Sequence, residues 1–250
     1  MASTLIVDQL QKTGGSTTAL TLPTSNASAS QYLQNDGAGA LSWATVASAG
    51  FHQMVVRSVT GSATYSPAAG VTKLIVAVQG AGGGGAGGSG SYYGSGGSAG
   101  GYALKYFTGV ASTDVMTVVV GAGGGGGTGV ANGVDGGASQ FVSVSGGLHP
   151  FTTVEGLGGG KGRTGAEPDA AGVASGGDIN IDGVRGGADT GGAYQGADSM
   201  FGFGGSRYGT TSSAARASTG YGSGGTGAYS IASGAGGAGR NGVVIIWEYK

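Results

Sequence analysis

No cysteine occurs in the chain, only four prolines, and only 23 charged side chains (11 basic, 12 acidic) among 250 residues. Without cysteine there is no disulfide, no thiolate metal site and no cysteine nucleophile. The staples that usually hold small secreted scaffolds are therefore missing. Scarce proline, with no G-X-Y period, excludes a collagen triple helix. A formal net charge of −1 with no basic stripe lacks the footprint of a nucleic-acid binder. It equally lacks the high net charge of a disordered, solvating tail. No apolar run approaches the ~18 residues of a membrane-spanning helix. The first residues, MASTLIVDQLQKTGG, have neither the basic start nor the long apolar centre of an export signal. The expectation is a soluble protein made in the cytoplasm, without membrane insertion. It must be held by burial, backbone hydrogen bonds or association between copies.

What the chain has instead is glycine, 62 residues of it, 54 of them between positions 80 and 240. The stretch GAGGGGAGGSGSYYGSGGSAGG at 80–101 holds thirteen glycines and sets Tyr92 and Tyr93 at its centre. Glycine loses more backbone freedom on folding than any other residue. Such a run stays disordered unless its surroundings impose order.

The flanks predict what imposes it. VTKLIVAVQ (71–79), YALKYFTGV (102–110), DVMTVVVG (114–121), SQFVSV (139–144) and GVVIIWEY (242–249) are short apolar or alternating runs bounded by turn signals. They predict an all-β, sandwich-like domain with long polyglycine loops. No stretch carries a helical period. The closing VVII is too apolar to lie loose in water, burial of each such side chain being worth about 1.5–3 kcal/mol. It is expected to pair centrally with 71–79, so that strands clamp the glycine segments at their ends. Residues 1–50 are Ser/Thr/Ala-rich with too few large apolar residues for an independent core. They predict an extended N-terminal attachment segment ahead of a distal domain at 51–250.

SATYSPAAGVTKLIVAVQGAGGGGAGG (62–88), GGYALKYFTG (100–109), VMTVVVGAGGGGG (115–127) and RNGVVIIWEY (240–249) resemble, in that order, the glycine-rich domain of bacteriophage tail fibres. QYLQNDGAGALSWATV (31–46) is similar to a segment common just ahead of the distal domain in such fibres. The resemblance implies a virion tail-fibre protein, a homotrimer, that binds a host surface receptor, a glycan or an outer-membrane component. Residues 1–50 would dock to other tail or baseplate proteins. It also implies that polyglycine helices can pack side by side. Bare backbones approach closely, as at the collagen axis, and buried N–H and C=O groups pair laterally. Residues 156–240 are open to this arrangement or to irregular loops.

The candidate receptor-binding residues are Tyr92, Tyr93, Tyr194, Arg207, Tyr208, Tyr221 and Tyr229. Tyrosine offers a large amphipathic face with few torsions to freeze; sugar C–H faces stack on it and its phenol meets hydroxyls. The bland alternative makes several of these rings plugs between glycine segments, and Arg207 a solvated surface residue. Phe201 and Phe203 are expected to be buried, as phenylalanine usually is. DINIDGVRGGAD (178–189) fits a calcium-loop pattern through Asp178, Asn180, Asp182 and Asp189. It lacks flanking helices and the bidentate glutamate, so a short strand and turn is the preferred reading. Catalysis has little support. His52 and His149 sit near no nucleophile motif, and Asp135, Glu155, Glu167 and Asp169 lie in segments unlike the rigid placement a carboxylate pair needs. No cofactor is expected. The alternative function is a structural tail-tip or baseplate component with no receptor of its own. A glycine-rich RNA-binding protein ranks below both.

Overall fold

The computed structural model describes residues 9–10, 20–38, 40–45, 50–90, 92–143, 153–187, 194–206, 217–229 and 234–250. The chain divides into two units, Met1–Ala49 and Gly50–Lys250. In the first, β1 (Gln9–Leu10) pairs with β2 (Leu20–Thr21), and β3 (Gln31–Asn35) with β4 (Leu41–Thr45), all antiparallel. Asp36 closes the second hairpin, its Oδ1 accepting from the N–H groups of Ala38 and Ala40.

The second unit is built on two five-stranded sheets. One has the order β13-β8-β7-β14-β5, the other β12-β11-β10-β9-β6. The strands are β5 (Phe51–Arg57), β6 (Gly61–Tyr65), β7 (Lys73–Gln79), β8 (Tyr102–Thr108), β9 (Met116–Val120), β10 (Ser139–Ser143), β11 (Val154–Gly156), β12 (Ala174–Ser175), β13 (Ile179–Ile181) and β14 (Val243–Tyr249). Every pairing is antiparallel. As the apolar C-terminus requires, β14 lies inside its sheet, paired with β7 over Val243↔Gln79 to Tyr249↔Lys73 and with β5 on the other side. The strand period of two sends Leu74, Val76 and Val78 of β7 and Val244 and Ile246 of β14 inward. There they meet Met116, Val118, Val120, Phe141 and Val154 of the facing sheet in one buried cluster. No helix occurs among the described residues.

One inward position of β14 is polar. Glu248 is 1% exposed. Its carboxyl group accepts from Tyr65 Oη at 2.8 Å, Gln53 Nε2 at 3.0 Å and Ala68 N–H at 3.4 Å. Burial, and then the Glu248 carboxyl, hold the Tyr65 phenol far above its ordinary pKa. A phenol raised in the folded state contributes fully below the unfolded value of about 10 and loses that contribution as pH rises further. Thermal melts are therefore expected to be insensitive to Tyr65 at pH 7–9 and to weaken above about 10. Tyr65→Phe leaves a buried acceptor short of its donor, a loss of about 1–3 kcal/mol, and removes part of that alkaline slope.

Beyond the sandwich the strands continue as polyglycine. The chain runs from β7 into 80–88 and returns through 93–101 to β8. It runs from β9 into 121–127 and returns through 131–138 to β10, and 234–242 leads into β14. The N–H groups of Gly80, Gly83 and Ala86 donate to the carbonyls of Gly101, Ser98 and Ser95. Those of Ala81, Gly84 and Gly87 donate to Gly137, Val134 and Ala131, and those of Gly82, Gly85 and Gly88 to Arg240, Gly237 and Gly234, all at 2.8–3.1 Å. Each residue thus turns to a new neighbour and the fourth returns to the first, the signature of a helix with about three residues per turn. The carbonyls of 81–86 accept from three further segments: Gly159 and Gly162, Gly124 and Gly127, Gly225 and Ala228. Segment 80–88 is the centre of a six-neighbour bundle. Segment 93–101 is a second centre, donating to 157–163, 184–187 and 222–228. Within 156–240 the segments 157–163, 184–187, 222–228 and 234–240 therefore join a lattice, while β12 and β13 belong to the sheets.

Glycine is needed here for proximity. A Cβ on Gly84 would stand 2.0 Å from the carbonyl oxygen of Gly125, and one on Gly227 1.7 Å from that of Gly94. Ordering costs about 1–2 kcal/mol per residue, and a hydrogen bond returns a net of about 0.5–1.5 kcal/mol. Residue for residue the cost is the larger, glycine having the most freedom to lose, so the lattice does not stand on its hydrogen bonds alone. The sandwich that fixes its ends tips the balance.

Candidate functional site

The lattice ends, away from the sheets, in hairpin turns whose glycines adopt left-handed backbone: Gly90 (φ +59°), Gly129 (φ +58°) and Gly165 (φ +68°). The first turn is closed by reciprocal Ser89 and Tyr92 backbone hydrogen bonds. The third is bound to it, Gly165 N–H donating to Tyr93 O at 2.8 Å. Thr164 ties in the second, its N–H donating to Asn132 Oδ1 and its hydroxyl to the Gly87 and Ala131 carbonyls.

Four of the seven expected binding residues meet at this end. Tyr92 is 60% exposed and lies over the third turn, where a Cβ on Gly165 would come within 3.2 Å of its ring. Tyr93 is half-buried, edge-on to Tyr194 at 6.3 Å and to Tyr229 at 5.5 Å between ring centroids. Tyr194 is 7% exposed. The tip therefore combines one exposed ring, Tyr92, with Tyr93 braced against two others. Tyr221 does not belong to it. Its neighbour Gly222 binds Gly100 and Asn241, beside the starts of β8 and β14, so Tyr221 stands at the sheet end of the lattice. Arg207 and Tyr208 lie outside the described residues.

The two phenylalanines divide. Phe201 is half-buried against Tyr102, ring centroids 5.6 Å apart. Phe203 is 75% exposed, contrary to the expected burial. The cause is the lattice itself, which has no interior room for a ring. A Cβ on the adjacent Gly204 would already stand 1.8 Å from Gly196 O.

The calcium-loop pattern is used for folding. Asp178 accepts from Tyr106 N–H and from Lys105 Nζ, which hold its carboxyl below the usual carboxylate range. Asn180 closes a turn on Gly177, and Asp182 Oδ1 accepts from Ala174 N–H. Asp189 lies outside the described residues, as does His149. Addition of a chelator is expected to leave the melting temperature unchanged; a large drop would reassign the loop to metal. The four other carboxylates are likewise engaged. Asp169 is held below the usual range by Arg163 first and Lys161 second. Asp135 pairs with Lys161, Glu155 accepts from Gln140, and Glu167 lies 3.6 Å from Arg185. His52 lies on β5, at the sandwich.

Fold and tip together define an all-β sandwich prolonged by a polyglycine lattice that ends in an aromatic surface. The chain belongs to the glycine-rich domain family, whose sequence profile matches residues 57–249, from the end of β5 to the end of β14. No curated protein matches it.

Proposed function

We propose that this chain is a bacteriophage tail-fibre adhesin that binds a glycan or outer-membrane component of its bacterial host through the Tyr92 end of the lattice. The observation that carries this reading is the polarity of the second unit. Gly50, where the chain enters it, exchanges backbone hydrogen bonds with Lys250 at the far end of β14. The exposed ring of Tyr92 stands beyond the opposite end. Between them lie the seven-residue length of β14 and the nine residues of 80–88. At about 3.3 Å per strand residue and about 3.1 Å per polyglycine residue, that is roughly 50 Å. An attachment end and a presenting end are thus held apart by a stiff spacer. In this reading residues 1–50 dock to tail or baseplate proteins, the protein is a homotrimeric virion component synthesised in the host cytoplasm, and it acts by binding. Repetition of weak tips along a fibre would multiply avidity by about 10²–10⁴.

The alternative, a structural tail-tip or baseplate component, draws on the packing of Tyr93 against Tyr194 and Tyr229. Binding of labelled full-length chain to a panel of bacterial strains, with its mass in solution, separates the two. Strain-selective binding by a species of three times the 23.6 kDa chain mass is the expected result. A folded protein that binds no strain would leave the structural role.

A further inference from the structure

Apart from the tip, the lattice carries a cavity of about 640 Å³, within the size range of small-ligand sites. Phe203 lines it, its ring three-quarters exposed. Asp198, Gln195, Ser206 and Thr219 line it as well. The floor is rigid backbone. Gly196 N–H donates to Gly205 O, Thr219 N–H to Phe203 O at 3.0 Å, and Gly204 N–H to Asp198 Oδ1 at 2.7 Å. Glycines at 196 and 204 leave that floor flat, and packing leaves it no freedom to collapse, since Gly196 O would stand 1.8 Å from a Cβ on Gly204.

We infer that this cavity is a second binding site, for a neutral saccharide, distinct from the Tyr92 tip. The ligand class follows from the lining. One surface is a bare aromatic face. The others are a carboxylate acceptor, two hydroxyls and an amide, groups that exchange hydrogen bonds in both directions with sugar hydroxyls. A wholly apolar ligand would strand those polar groups. An anionic sugar or phosphate would face the Asp198 carboxylate. A pyranose matches both halves, its C–H face on Phe203 and its hydroxyl edge on Asp198 and Gln195. The Asp198 side chain already fixes Gly204, so one acceptor is placed before the ligand arrives, which lowers the ordering cost of binding. The site does not depend on the adhesin reading: a structural tail protein could carry it equally.

The test is saturation-transfer NMR on the full 250-residue chain, with methyl β-glucoside, methyl β-galactoside and N-acetylglucosamine as probes and sialic acid as the anionic comparison. Transfer is expected from at least one neutral sugar, strongest on the C–H protons of one ring face, and absent for sialic acid. Phe203→Ala should weaken it at least about tenfold with an unchanged melting temperature, because the ring packs on little. Asp198→Asn, which keeps an oxygen for Gly204 N–H, should also weaken it. Tyr92→Ala should leave it intact. No transfer from any neutral probe, persistence in Phe203→Ala, preference for sialic acid, or loss in Tyr92→Ala would each overturn the assignment. Loss of bacterial binding in Tyr92→Ala with sugar binding retained would separate the tip from this cavity.

Discussion

Gly84→Ala lowers the melting temperature by roughly 6–12 °C, whereas Gly125→Ala leaves it unchanged or raises it. The two glycines face each other across one lattice contact. A Cβ on Gly84 would press to 2.0 Å from Gly125 O, on backbone that cannot rotate away. A Cβ on Gly125 meets only a methyl of Val134, at 3.9 Å. Gly84 sits in the six-neighbour segment and its N–H and C=O bind Val134 and Gly162. Displacing it therefore disturbs several segments together. Overpacking typically costs about 1–3 kcal/mol and sometimes more, and each kcal/mol moves the midpoint of a domain this size by about 2–4 °C. A loss near ~3 kcal/mol gives the stated shift. Gly125 lacks left-handed backbone, so alanine there removes unfolded-state entropy, a gain of about 0.4–1 kcal/mol. Thermal unfolding of the two variants beside the parent protein is the measurement. Equal effects would mean that the close approach at Gly84 is not present in solution.

Tyr92→Ala is expected to abolish binding to host cells at unchanged stability, while Tyr93→Ala loses stability first. The rings are adjacent in sequence but differ in surroundings. Tyr92 is 60% exposed, so its removal forfeits little packing. Tyr93 holds two edge contacts, to Tyr194 and Tyr229. Each such contact is worth about 0.5–1.5 kcal/mol beyond area burial. Its loss should lower the midpoint by several degrees and loosen the three turns, reducing binding indirectly. Adsorption assays paired with melts on each single variant resolve the two roles. If Tyr92→Ala binds cells normally, the tip is not the receptor surface, and the packing interpretation of the tyrosines gains.

Much of the sandwich could be read from the residues, because its central strands are β-branched runs bounded by glycine. β7 and β14 stand where VTKLIVAVQ and GVVIIWEY place them, and they pair. β5 was less visible: FHQMVVR lies at a sheet edge and mixes polar with apolar side chains, most of them exposed. β11 and β12 have two or three residues each, too short for a period to declare itself, whereas β13 is the short strand expected in DINIDGVRGGAD. The lattice partners were hidden for a different reason. A glycine has no side chain to record which neighbour it meets, so register resides wholly in backbone hydrogen bonds. The nearest trace is the set of buried alanines, Ala81, Ala86, Ala99 and Ala228, at 0–1% exposure, which mark positions where a methyl fits.

At the tip, tyrosine chemistry was legible and its placement was not. Tyr221 and Tyr229 are eight positions apart on one extended segment, which at about 3.1 Å per residue separates them by roughly 25 Å. Composition alone grouped them. Phe203 shows the converse. The general preference of phenylalanine for the interior presumes an interior with space, and a lattice of touching backbones has none.

Hydrogen exchange of the glycine amides, followed by NMR on the folded chain, tests the lattice most directly. Amides of 82–85, each donating to a different segment at 2.8–2.9 Å or into its repeat, should be protected to about the same free energy as those of β7 and β14. Their opening would then require the whole unit to unfold. Exchange of 82–85 at the rate of a free chain, while β7 and β14 stay protected, would mean that the glycine segments are loops on a sandwich, and that no stiff spacer presents Tyr92.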